Sequence, residues 1–188
     1  MPKNILIGGI GNVLLGDDGV GPYVLQLLSA RYEFGEGIEL IDLGTPALDL
    51  LTRISGKDAV IFIDSVAAGT KPADTKPGVI TLYRKADIMR LRPAVRMDPH
   101  SPALVDTLFS ADLFGVSPES LLLVGITGES YEPGCYLSDP VKAVLDRAIA
   151  EVLCELDRVG VEYRLRDNPA ESGIWWAGEE KIESTLAI

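Results

Sequence analysis

The chain has 188 residues, with 28 acidic side chains against 17 basic ones, one histidine and a formal net charge of −11. That length suits one core, and a hydrophobic fraction of 47% is too high for an acidic disordered chain. The negative field opposes nucleic acid, two cysteines make neither a disulfide framework nor a zinc-ribbon pattern, and no stretch has the length of a membrane span or a signal peptide.

The expectation is therefore a soluble, cytoplasmic protein in a reducing compartment, with no membrane and no nucleic-acid partner. Any chemistry that needs imidazole must use His100.

Residues 4–10 are a short apolar run closed by Gly-Asn, and runs without alternation read as strands buried on both faces. Residues 20–31 follow as a helix, with Val20, Val24, Leu27 and Leu28 on one 3.6-period face. A second strand is predicted at 38–43 and a third at 59–63, ending at Asp42 and Asp64. Between them, 46–55 reads as a helix with Pro46 at its first position and Gly56 just beyond its end.

Residues 67–78 read as a loop, 79–83 as a fourth strand and 121–126 as a fifth. Helices are predicted at 102–114 and 139–159, the latter with Ser138 or Asp139 as cap and Pro140 in its first turn. Strand–helix alternation of this kind predicts a three-layer α/β sandwich: a mostly parallel, twisted sheet of about five strands with helices on both faces. The domain takes residues 1–160, and 161–188 is an acidic tail or flap.

Ligands of open α/β sheets collect at the carboxyl ends of the strands, and three groups map there. Asp17 and Asp18 lie in the turn after the first strand, Asp64 at the end of the third, and His100 in the Pro-flanked loop before the helix at 102. Gly9-Ile10-Gly11 imitates a dinucleotide fingerprint, but Leu14 stands where its third glycine belongs and two carboxylates would repel a diphosphate. Two carboxylates and an imidazole, without thiolate, can hold zinc, manganese, iron or nickel. The plainer alternative is that Asp17 or Asp18 caps a helix and Asp64 bonds loop amides.

The segment 8–21, with Ile-Gly-Asn-Val-Leu-Leu-Gly-Asp-Asp-Gly-Val-Gly at its heart, closely resembles the opening of the nickel–iron hydrogenase maturation endopeptidases. Asp42-Leu43-Gly44-Thr45, Ile61-Phe62-Ile63-Asp64-Ser65, His100 before a helix, Gly125-Ile126 and Leu137-Ser138 extend the similarity over roughly residues 4–158. The resemblance implies a phosphorylase/hydrolase-like fold and an endopeptidase. Such an enzyme removes the C-terminal extension of a hydrogenase large-subunit precursor after nickel insertion.

It also implies that Asp18, Asp64 and His100 are both catalytic and metal-contacting, with Asp17, Gly44 and Thr45 in support. The metal would be nickel carried by the substrate, which zinc or cadmium could replace in the isolated protein, with no organic cofactor. The precursor would be the partner of a monomeric enzyme. Asp18 replaces the family's frequent glutamate, Leu43 a usual glycine and Ala47 a frequent one. A non-proteolytic relative that only binds a metallocluster protein is the alternative, and the complete Asp18, Asp64, His100 set favours the enzyme.

Three remaining features have both a functional and a structural reading. The basic stretch 84–96, with Arg84, Lys85, Arg90, Arg92 and Arg96, could steer an acidic segment or be a solvated face. Cys135 with His100 would suit a cysteine hydrolase, whereas Cys154 reads as core. Trp175 and Trp176 could dock a partner or pack on their own domain.

Overall fold

The computed structural model describes residues 3–46, 49–66, 76–90, 101–169 and 174. Its strands are β1 (Ile5–Ile10), β2 (Tyr32–Phe34), β3 (Ile38–Gly44), β4 (Ala59–Val66), β5 (Ile80–Arg84), β6 (Ser120–Thr127) and β7 (Tyr163–Leu165). The helices are α1 (Val20–Arg31), α2 (Leu50–Ile54), α3 (Lys85–Arg90), α4 (Ser101–Leu113), α5 (Asp139–Lys142) and α6 (Leu145–Arg158), and a 3-10 turn at Gly16–Gly19 leads into α1. The main sheet has five strands in the order β3-β1-β4-β6-β5, parallel except for β5, which runs antiparallel to β6.

The unbroken apolar runs are explained by two cores, one on each face of the sheet. Ile5, Ile7, Ile61, Ile63, Leu122 and Val124 point to one side, against Val24 and Leu28 of α1 and Val152 and Leu156 of α6. Leu6, Ile10, Val60, Phe62, Leu121 and Leu123 point to the other, against Ile54 of α2, Ile88 of α3 and Leu108 of α4. Successive residues of a strand face opposite ways, so a sheet covered on both sides needs apolar residues throughout. The three-layer sandwich expected from the sequence is the observed architecture.

Several boundaries differ from the expectation. The helix predicted over 46–55 is confined to Leu50–Ile54, and Pro46 is not part of it. The helix predicted over 139–159 is two helices, because Val144 leaves helical geometry at φ −110°, ψ 3°. The third strand does not stop at Asp64: β4 continues to Val66, paired with β6 as far as Thr127.

Tyr32–Phe34 and Tyr163–Leu165, not foreseen as strands, pair antiparallel, so part of the 161–188 segment runs beside the C-terminal end of α1. The rings of Tyr32, Phe34 and Tyr163 cluster there, with centroids 6.0–6.5 Å apart. Cys154, expected in the core, is exposed. The buried positions of α6 are Ala148, Ile149, Val152, Glu155 and Leu156, which puts 154 on the outer side.

Candidate active site

The carboxyl ends of β1, β3 and β4 meet where α1 begins, and glycines set how closely. Gly21 lies so near the sheet that a Cβ there would stand 2.2 Å from the Ile10 carbonyl oxygen and 2.4 Å from that of Ile63. Gly11 has φ +130°, and a Cβ on it would overlap the Asp18 carbonyl oxygen at 1.7 Å. Larger residues at either place would lift the 3-10 turn off the strands.

That turn carries Asp17 and Asp18, and they do different work. The Asp18 side chain, 5% exposed, accepts the Asn12 N–H on Oδ2 at 2.8 Å, which fixes it over the end of β1. Asp64 is also 5% exposed and sits in β4, the strand next to β1, one residue beyond the Gly9–Ile63 pair. Asp18 thus lies in the turn after β1, and Asp64 near the carboxyl end of the neighbouring strand β4. His100 lies outside the described residues. Among the described residues, no three His, Cys, Asp or Glu side chains come together around a metal position.

Asp17 does not cap α1 or its own turn. It is fully buried and ties down a remote loop. Its Oδ2 accepts the N–H groups of Glu129 and Ser130 at 2.7 and 3.0 Å and the Ser138 hydroxyl at 2.8 Å. Oδ1 accepts the Ser138 N–H at 2.7 Å. Ser138 does stand at the N-terminus of α5, as the sequence suggested, but its hydroxyl serves Asp17 instead of capping the helix.

Gly44 and Thr45 also lie at the strand ends. The Asp42 carboxylate accepts the Gly44 N–H at 2.9 Å, and the Gly44 carbonyl accepts the Gly11 N–H at 2.8 Å. Gly11, Asn12, Val13, Asp42, Gly44 and Thr45 line an open cleft of about 290 Å³. Leu43, one of the departures from the family pattern, is bulged out of the β1–β3 pairing between Asp42 and Gly44. Its side chain packs over Gly8, where a Cβ would come 2.5 Å from Leu43 Cδ1.

Tyr131 and Ser65 were not singled out from the sequence. Their hydroxyls share a hydrogen bond of 2.8 Å at the end of β4. Burial pushes the Tyr131 phenol above its ordinary value of 10.0; the Ser65 hydrogen bond opposes this, while the Asp17 and Asp18 charges push it further up. The hydroxyl therefore stays protonated beside the carboxylates. No local pattern announces it, since the contact joins residues 66 positions apart.

A cavity of about 890 Å³ opens at the opposite end of the sheet, where β4 and β6 begin. There the buried Glu155 pairs with Arg84 at 2.5 Å and Arg158 at 2.6 Å. Burial pushes the Glu155 carboxyl up, but the hydrogen bonds from Arg158 and Arg84 outweigh it and hold it below the usual 4.5. Two members of the basic stretch thus have internal partners, because Lys85 pairs with Asp112 at 2.7 Å. Arg92 and Arg96, like Trp175 and Trp176, lie outside the described residues, as does Ala47. Cys135 is only half-buried.

Comparison with known proteins points one way. A family model described as hydrogenase maturation protease matches residues 22–155. The hydrogenase expression/formation protein HoxM of Azotobacter vinelandii is 37% identical over 169 residues, 89% of this chain and 79% of its own length. The hydrogenase 2 maturation protease of Escherichia coli is 32% identical over 158 residues, 84% of this chain and 93% of its own. The solved structure of the hydrogenase maturating endopeptidase HybD from E. coli superposes with a TM-score of 0.78 at 30% identity, covering 87% of this chain and 98% of that one.

Proposed function

The chain belongs to the hydrogenase maturation proteases, endopeptidases that act in hydrogenase maturation, and from that premise we propose that it removes the C-terminal extension of a nickel–iron hydrogenase large-subunit precursor once nickel is in place. The observation that carries the proposal is the pair Asp18 and Asp64, each 5% exposed, on adjoining strand ends beside an open cleft. Carboxylate oxygens are hard donors that suit a divalent ion, here one arriving with the substrate.

On this reading Asp18, Asp64 and His100 bind nickel already held by the precursor, so that only the loaded precursor is recognised. The ion polarises the scissile carbonyl, and water adds to that carbon. The C–N bond then breaks, leaving a new carboxylate on the mature subunit and an amine on the released peptide. On this reading Asp18 takes the water's proton, which passes to the departing amine nitrogen. Zinc or cadmium can stand in for nickel on the isolated protein, and no organic cofactor takes part. The partner is one folded precursor, and the protease works as a monomer in the cytoplasm.

The test incubates the protein with nickel-loaded precursor and weighs the released peptide. Asp18→Ala, Asp64→Ala and His100→Ala should each abolish release while leaving the circular dichroism spectrum intact. A fully active His100→Ala would overturn the assignment.

A further inference from the structure

Two loops next to Asp18 are fastened into one body. Gly134 N–H donates to the Leu14 carbonyl at 2.8 Å, Gly16 N–H to the Gly134 carbonyl at 2.9 Å, and Asp17 N–H to the Ser130 carbonyl at 2.9 Å. The four hydrogen bonds received by the buried Asp17 carboxylate complete the clasp. Yet this tightly bonded pair of loops holds large apolar side chains out in water: Leu14 at 55%, Tyr131 at 44% and Tyr136 at 37% exposure. The Tyr136 ring lies against Gly134, where a Cβ would come 2.3 Å from it, and the Tyr131 hydroxyl is pinned by Ser65. Surface loops are ordinarily polar and loosely held. Apolar groups set on a rigid support are the arrangement that binds with little loss of conformational entropy.

We propose that Leu14, Tyr131 and Tyr136 form a preformed ledge that seats an extended apolar segment of the protein substrate beside its scissile bond. The inference rests on the reading of the protein as a precursor protease. Its occupant is argued from continuity with the candidate site. The loop 11–16 is the shared wall, with Asn12 and Val13 lining the cleft and Leu14 exposed, while Asp18 is bonded to the same loop through the Asn12 N–H. A chain lying across this wall meets the ledge and the carboxylates together. The ledge determines binding and takes no part in proton transfer.

The experiment measures KM and kcat for peptide release from the nickel-loaded precursor by wild type, Leu14→Ser, Tyr131→Ala and the double variant. Phe109→Ser with Leu113→Ser serves as control, since these α4 side chains are 53% and 82% exposed. The double variant should raise KM at least about tenfold, as loss of an aromatic anchor does at protein interfaces. Its kcat should stay within about twofold, each single variant should fall between, and the control should keep the wild-type KM. Tyr131→Phe, which keeps the ring, should restore most of the binding lost in Tyr131→Ala.

An unchanged KM in the double variant, with wild type active, would overturn the ledge and leave the protease reading standing. A wild type that releases no peptide would remove both. Sedimentation supplies the remaining outcome: a wild-type dimer that the double variant dissolves would assign the ledge to a second copy and overturn the proposal.

Discussion

Replacing Asp17 by Asn isolates the charge of one carboxylate with almost no change of shape. In the native protein Oδ2 accepts three hydrogen bonds and Oδ1 accepts one. An amide must turn its NH2 toward one set of donors. The cheaper orientation sets it against the Ser138 N–H, which loses its acceptor in a half-buried setting. An unsatisfied buried donor costs about 1–3 kcal/mol, and hydrogen bonds to a charged acceptor are worth about 1.5–3 kcal/mol against about 1 for neutral ones. The three bonds that remain therefore weaken as well.

Together these give about 3 kcal/mol for Asp17→Asn and about 4–5 kcal/mol for Asp17→Ala, which removes all four. At about 2–4 °C per kcal/mol for a domain of this size, Asn should lower Tm by about 6–12 °C. Scanning calorimetry reads that directly, and hydrogen exchange should quicken at the amides of Glu129, Ser130 and Ser138. A Tm within about 2 °C of wild type, or unchanged protection at those three amides, would refute the reasoning.

Gly21→Ala should reverse the usual sign of a helix substitution. Alanine normally gains about 1 kcal/mol over glycine in a helix, but its methyl would meet two strand carbonyls at 2.2 and 2.4 Å, so calorimetry should find a loss. Glu155 sets an acid limb: its folded pKa lies below 4.5, so its stabilisation is complete above that value and fades as pH falls through the folded one. Glu155→Gln should cost about 2 kcal/mol at neutral pH, and the Tm gap from wild type should close as pH drops from 6 to 3. Asp18→Glu should retain peptide release within about tenfold, because the carboxylate is kept and only one methylene is added; complete loss would mean that the Asn12 bond fixes the reach of this side chain.

The positions of Asp18 and Asp64 were legible because both follow apolar runs, and a run with no alternation has one common explanation, a strand covered on both faces. Leu6, Ile7, Phe62 and Ile63 divide between two cores as that pattern requires. The break at Val144 was hidden, since the pattern on either side of it is continuous. Tyr32–Phe34 and Tyr163–Leu165 were hidden too, because three residues are too few for a period to register. Cys154, read as core, falls outside the one buried stripe of α6, which is Ala148, Ile149, Val152, Glu155 and Leu156.

By itself, the sequence determined the α/β class and the approximate places of the main strands, because these follow from the order and spacing of residues along the chain. Tertiary structure alone decided the antiparallel β5, the pairing of Glu155 with Arg84, and the separate duties of Asp17 and Asp18. Two adjacent acids look alike in a sequence. Asp18 turns to the Asn12 N–H six residues away, whereas Asp17 is claimed by amides 112 to 121 residues distant. Such partners are chosen by the path of the whole chain, and no local pattern records them.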